Sequence, residues 1–399
     1  MPTYNPRQFS APDKIREISH HLLIELLLPH KKYLASRNIT LPTNPTPENI
    51  DYDALANVFM TPNGNEGELS ETLYYISEMS SPEIADELME ELQAKNIEFR
   101  DKANQPTPAD IAVKLWLSDP QLLERKHAEQ QLTHQRSFEH YQTDIDPVPE
   151  FKMPKTFTAL EKDLDNWFEE KKRGRGAKVF GFKKPQGFWF MVRHGEIYSR
   201  QGTQKDDGNA GSVYFRPSKH DVLFYDAALG ELSIHAAHVG EIELYRKKFG
   251  LHVFKNENFF PGSDKYTLDP LKDNGKDALA CDDIRGMEWI RLKEIRYFWG
   301  GPQREVEIRT ATDLFAAWEG KNRSIPESAR IIRASFLAKF TDAKIPRTVV
   351  IQPANIAKYT RDDDAVVVEE FLTKRGFIKT EANKKDKKRE KSVTSVANS

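Results

Sequence analysis

Three helix-start signals follow one another closely along the chain: Ser81-Pro82-Glu83, Thr107-Pro108-Ala109-Asp110 and Asp119-Pro120. In each, a short oxygen-bearing side chain precedes a proline. The oxygen can accept from a backbone N–H of the first turn that has no helical partner, and proline at that position gives up no hydrogen bond. Such punctuation leaves room only for short helices packed on one another. The apolar spacing agrees: Ile84, Leu88 and Leu92 share one helix face, and Ile111 and Leu115 another. Upstream, Ile15, Ile18, Leu22, Leu23, Leu26 and Leu27 recur at three- and four-residue steps until Pro29 bends or ends that helix. After Asp119-Pro120 come Leu122 and Leu123, then a polar helical stretch to about residue 141. Proline-rich segments at 41–47 and 146–154 read as a loop and a linker, which places a domain boundary near residue 150.

Beyond that boundary the rhythm changes. An amphipathic helix at 157–168 has Thr158 and Glu161 at capping-box spacing. The runs 178–182 and 188–193 then read as strands joined by a turn at 183–187. Further strands are expected at 196–200, 212–216, 221–226, 231–236, 288–299 and 304–309, with 221–226 and 231–236 forming a hairpin and 201–211 a long polar loop. Helices are expected at 241–249, ended by Gly250, and at 312–318. Strands at 330–340 and 347–352 and a helix at 362–375, capped by Gly376, suggest a small β-β-α unit. The expected fold class is α+β. An acidic all-helical domain (1–150) precedes an antiparallel-rich mixed sheet domain (151–324), the β-β-α unit (325–382) and a disordered basic tail (383–399).

Charge divides along the same line. Residues 1–150 hold 13 Lys+Arg against 25 Asp+Glu, and residues 151–399 hold 46 against 36, so the net charge of −2 hides two oppositely charged halves. One half suits a basic partner and the other an acidic one. The expectation is a protein partner for the acidic helices, nucleic acid for the basic half, and no membrane. No apolar run approaches the ~18 residues of a membrane-spanning helix. Residues 1–10 lack the apolar core of a signal peptide, which favours a cytoplasmic location.

Several chemistries are excluded. The single cysteine, Cys281, permits neither a disulfide framework nor a cysteine zinc cluster, and reads as a buried thiol. Gly275-Lys276 and Gly320-Lys321 lack the following Ser or Thr of a phosphate-binding loop, and Gly174-Arg175-Gly176 precedes a strand instead of following one. A Gly-x-Ser-x-Gly elbow is absent. His235 and His238, with His220 and His252 flanking, would face opposite sides of a strand. No cofactor is expected.

Two sets of residues carry candidate chemistry. Lys171, Lys172, Arg173, Arg175 and Lys178 surround flexible glycines and run into strands bearing Phe180, Phe182, Lys183, Lys184, Phe188, Trp189, Phe190 and Arg193. Cations attract phosphates and rings stack on bases. Phe188-Trp189-Phe190 spans both strand faces, so part of this set is expected in the core. Arg330, Arg333, Lys339, Lys344 and Arg347 add charge further on. The alternative is a metal-dependent nuclease or hydrolase. Carboxylates on neighbouring strands, Asp221 or Asp226 and then Glu231-Leu232-Ser233, would hold Mg or Mn, although Ser233 stands where a lysine would steady the hydroxide. Its catalytic residues would be His194, Asp226 and Glu231. Asp282-Asp283 and Glu305 with Glu307 are further carboxylate pairs, and His194-Gly195-Glu196 and Arg216-Pro217 lie beside turns. The first expectation is a non-enzymatic accessory or adaptor protein joining a protein partner to nucleic acid. A bacterial antiviral defence setting fits its general look without a residue signature. A pure protein-interaction module is the third reading.

Overall fold

The computed structural model describes residues 6–61, 67–99, 105–132, 137–185, 187–204, 207–262, 264–360 and 364–379. The expected tail at 383–399 lies outside the described residues. The chain divides into two compact units, Met1–Gln131 and Leu132–Ser399.

The first unit is helical. Its helices are α1 (Pro12–Arg16), α2 (His20–Leu27), α3 (Lys31–Ser36), α4 (Tyr52–Met60), α5 (Gly67–Glu78), α6 (Pro82–Ala94), α7 (Pro108–Ser118) and α8 (Pro120–Gln131). All three proline starts fall where helices begin. Pro29 sits in a 3-10 turn between α2 and α3. The N-terminus of α7 is a complete capping box, Thr107 with Asp110. Asp110 reaches further: it also accepts from the backbone N–H (2.7 Å) and hydroxyl (3.0 Å) of Ser19, the residue before α2. One buried carboxylate therefore closes the starts of two helices.

The second unit is built on one sheet. Its strands are β1 (Ser137–Gln142), β2 (Lys178–Lys184), β3 (Gly187–Gly195), β4 (Ser199–Gln204), β5 (Ala210–Phe215), β6 (Ser218–Asp226), β7 (Glu231–His235), β8 (Met287–Gly300), β9 (Glu305–Thr310), β10 (Arg330–Phe340), β11 (Arg347–Gln352) and β12 (Ile356–Lys358). Ten of these form a sheet of order β2-β3-β6-β7-β1-β12-β11-β10-β8-β9 in which every pairing is antiparallel. β4 and β5 form a separate ribbon. The helices are α9 (Thr158–Glu170), α10 (Val239–Phe254), α11 (Asp269–Asp273), α12 (Leu314–Trp318) and α13 (Ala365–Lys374).

Strand alternation sends side chains to two faces, and the helices use them unequally. Over β2, β3, β6 and β7, the helices α9 and α10 cover one face. Leu160, Leu164, Phe168, Tyr245 and Phe249 pack there on Phe190, Val192, Leu223 and Ile234. Over β8, β10 and β11, the helices α11, α12 and α13 cover the opposite face, packing on Leu292, Ile295, Ala334, Phe336 and Ile351. The registers through β1 and β12 establish the switch. Ile234 aligns with Glu139 and Ile356, whereas Ile351 aligns with Ala357 and Phe138.

The fold class is α+β, as the residue pattern predicts, and several boundaries differ. The helical unit ends at Gln131, and residues 137–142, read as the end of a helix, form β1 within the sheet. The segment 325–382 adds β10 beside β8 and β12 beside β1, and α13 shares a core with α11 and α12, so these elements complete the large sheet. The expected loop at 201–211 is mostly the β4–β5 ribbon. α10 continues through Gly250 to Phe254. A Cβ on Gly250 would lie 2.7 Å from the carbonyl of Asn256, so this glycine admits the returning chain, and Lys255 in the left-handed region ends the helix. Thr158 gives α9 no side-chain cap; Glu161 instead accepts from the Val179 backbone N–H at 3.0 Å. No helix among the described residues is long and apolar enough to cross a membrane.

Removing the Asp110 carboxylate takes the acceptor from three donors at the two helix starts, the backbone N–H groups of Ser19 and Thr107 and the Ser19 hydroxyl. Asp110→Ala is expected to cost about 3 kcal/mol in urea unfolding, while the exposed Glu83→Ala stays within about 0.5 kcal/mol. Equal effects would contradict the shared cap.

Candidate functional site

Where β3 runs out and β6 begins, the face covered by α9 and α10 carries polar side chains. His194 of β3 and Lys219 and Asp221 of β6 point toward the first turns of α10. Imidazole Nε2 of His194 lies 3.0 Å from Asp221 Oδ2, and its Nδ1 lies 2.9 Å from the Gly195 carbonyl. The Tyr245 hydroxyl donates to the same Asp221 oxygen at 2.7 Å, and Phe168 stacks on the imidazole at 4.1 Å. Glu241, fully buried in the first turn of α10, accepts from Lys219 at 3.0 Å on each oxygen and from Arg173. Lys219 also approaches Asp221 and Glu196, each at 3.5 Å.

The electrostatics balance. Burial alone would push the Glu241 carboxyl up, but Lys219 and Arg173 hold it below its ordinary value. Burial would lower the Lys219 ammonium, and Asp221 and Glu241 raise it instead. Burial, with Asp221 alongside, drives the Tyr245 phenol well up, so it remains a donor. Ligand atoms of His194, Asp221 and Glu241 lie within 4.8 Å of one another, as do those of Glu196, His238 and Glu241. A divalent ion would nevertheless compete with Lys219 and Arg173 for the carboxylates, and both nitrogens of His194 already face acceptors. The arrangement is a charge-compensated network of the kind that locks packing.

The residues of the nuclease alternative do not meet. His194 is level with Lys219 and Asp226 with Glu231, which sets them roughly 20 Å apart along β6. Asp226 caps its own hairpin, accepting from the N–H groups of Ala228 (2.9 Å) and Leu229 (3.0 Å). Glu231 belongs to a second buried network on the other face. It lies 2.8 Å from His140 Nδ1 and 2.7 Å from Lys265 Nζ, while Ser233 and Tyr266 complete the surroundings of His140. Burial would raise the Glu231 carboxyl; His140 and Lys265 outweigh it and hold the group far below the usual carboxylate range. Asp283 pairs with Arg375, and Glu307 with Arg309.

The basic loop also resolves differently from its sequence. Arg173 is buried on Glu241. Arg175 pairs with Glu169, Lys178 lies 3.9 Å from Glu161, Lys171 lies over Trp167, and Arg193 over Phe180. Lys172 and Lys183 are exposed and Lys184 is half-buried. Phe182, Trp189 and Phe190 are buried. The glycines serve Arg216: a Cβ on Gly174 would sit 1.4 Å from its guanidinium, and one on Gly195 would sit 2.5 Å from its Cδ. The guanidinium lies 4.6 Å from the Tyr198 ring. Cations and rings are thus mostly committed within the fold.

A different surface carries more cations than carboxylates. On β8–β12, the face opposite α11, α12 and α13 presents Arg291, Arg296, Arg330, Arg333, Lys339 and Lys358, with one carboxylate, Glu294, among them. Glu294 takes Arg296 at 2.7 Å and Arg333 at 3.7 Å. Asp313 lies 3.8 Å from Arg291, and Glu288 3.5 Å from Lys339. Among the described residues, no carboxylate pairs with Arg330 or Lys358. Arg291 lies over Trp289 (4.2 Å) and Arg330 over Phe298 (5.1 Å). Arg330, Arg333 and Lys339 belong to the additional charge read from sequence. Arg291, Arg296 and Lys358 were missed, although the alternation of apolar and charged residues through β8 was a signal for them.

No protein-family model matches the chain, and no curated protein matches it.

Glu231→Gln removes the charge that His140 and Lys265 share, and is expected to cost about 3–5 kcal/mol at pH 7. Because the folded carboxyl titrates below its unfolded value, its stabilisation is complete above pH ~4.3 and fades as pH falls toward the folded value. The gap between variant and wild type should therefore narrow by about 1.4 kcal/mol per pH unit below that point. Urea unfolding at pH 7 and pH 3 measures it; a gap independent of pH contradicts the ion pairing.

Proposed function

We propose that this chain is a non-enzymatic accessory protein whose second unit binds nucleic acid and whose first unit engages a basic protein partner. One observation carries the reading: on β8–β12, the face opposite α11, α12 and α13 gathers six cationic side chains around Glu294, with Asp313 and Glu288 beside two of them. Side chains on a fold's own surface are ordinarily mixed in sign, and a one-signed field suits a polyanion. The division of charge between the units supports it. Met1–Gln131 holds 12 Lys+Arg against 21 Asp+Glu, and Leu132–Ser399 holds 47 against 40. In the first unit, Glu68, Glu71 and Glu78 of α5 and Glu83, Asp86 and Glu90 of α6 are exposed, which favours a basic partner there.

Phosphate contacts release counterions, so binding must weaken steeply with salt. Fluorescence anisotropy with labelled 20-mers is expected to show binding at 50 mM salt that weakens at least tenfold by 200 mM. The double reversal Arg291→Glu/Arg330→Glu, at two exposed positions, should weaken it at least tenfold at constant salt. Absence of binding to every polynucleotide at 50 mM salt contradicts the proposal.

A further inference from the structure

We infer that this cationic half-sheet takes single-stranded nucleic acid in preference to duplex, with bases stacked on Trp289 and Phe298. This rests on the nucleic-acid reading above and adds the form of the ligand and the groups that select it.

Width argues first. The surface spans β12, β11, β10, β8 and β9. At ~4.8 Å between neighbouring strands, five strands are about 19 Å across. The major groove of duplex DNA is ~12 Å wide and admits a helix or a two-stranded ribbon. A five-stranded face cannot enter it, and would meet a duplex only along its phosphates. A single strand, with its bases turned outward, can lie across the same face.

The aromatic positions argue second. Trp289 and Phe298 project from the outward face of β8, which is level with Lys339 at one end and Arg330 at the other. They stand roughly 27–30 Å apart along the strand, so each would meet a different base. Each ring is accompanied by a guanidinium, Arg291 over Trp289 and Arg330 over Phe298. Flat guanidinium and aromatic surfaces both accept an unpaired base, while a paired base offers them nothing. Neither ring is sealed in: Trp289 and Phe298 are both partly exposed, as are Val306 (47%) and Ile308 (51%) on the neighbouring strand β9. This apolar rim would shed water against sugars and bases. Phosphates would meet Arg296 and Arg333 between the two rings.

The test uses the full chain and four labelled probes: 20-mers of oligo-rU and oligo-dT, and 20-base-pair RNA and DNA duplexes, all at 100 mM salt. Binding to the preferred single strand should be at least tenfold tighter than to either duplex. Phe298→Leu and Trp289→Leu should each weaken single-strand binding about 5- to 100-fold, the range for losing one base–aromatic stack, and leave duplex binding within twofold. Circular dichroism melting confirms that each variant folds. Lys171→Gln/Lys172→Gln serves as a surface control and should change nothing. If single strands and duplexes bind equally and the ring variants are silent while Arg291→Glu/Arg330→Glu still removes binding, the inference is overturned and the polyanion reading stands. If binding depends on Lys171 and Lys172 and is indifferent to the half-sheet variants, the assigned surface is wrong. If no probe binds at 50 mM salt, both readings fall.

Discussion

The second unit depends on one short strand hydrogen-bonded on both sides. β1 pairs with β7 through Glu139–Gln142 and with β12 through Ser137–Glu139. It therefore joins β2, β3, β6 and β7 to β8–β12 in a single sheet. The strand is too polar to hold its place by apolar burial alone. Its position is secured by the buried network of His140 with Glu231, Ser233, Lys265 and Tyr266 on one face. On the other face Tyr141 packs at the edge of the core beneath α10, with Arg246 of that helix 5.2 Å from its ring. Breaking a buried charge pair costs far more than forming it gains, so this network opposes slippage of the seam more than it adds stability.

The cationic face follows from that joint. A sheet covered by helices on one face throughout would present one continuous outer face. Here the helical layers lie on opposite faces of the two halves. The helix-free face over β2, β3 and β6 nevertheless buries Phe182, Trp189, Met191 and Val222. The corresponding face over β8–β12 retains Arg330 and Lys358, which pair with no carboxylate among the described residues. The same logic explains why His194, Asp221 and Glu241 make a poor reactive centre. They sit beneath α9 and α10, their charges matched by Lys219 and Arg173, and their role is to let polar strand ends be buried. Arg216 is similar: two glycines make room for it, and an aromatic ring lies over it.

What could be read from residues alone follows from which forces are local. The proline starts at 82, 108 and 120 were legible because capping acts within one turn, and the β2–β3 and β6–β7 hairpins because their turns are short. β1 was not, because Ser137, Glu139 and Gln142 show no apolar alternation and its strand character comes from partners nearly a hundred and more than two hundred residues away. The reach of 325–382 into the main sheet was hidden for the same reason. The loop around Arg173 misled because local sequence shows the cations and not Glu241, nearly seventy residues on, which neutralises one of them. On the half-sheet the reverse held. Arg291, Arg296 and Lys358 look unremarkable one by one, and only their register gathers them on one face.

The central claim is that nucleic acid lies on the outward face of β8 and β10. Photo-crosslinking of a 4-thiouridine-substituted single strand to the full chain, followed by peptide mass spectrometry, tests it most directly. The account predicts adducts concentrated in residues 287–300 and 330–340. Adducts confined to residues 171–193, or spread over the acidic helices of the first unit, would contradict it.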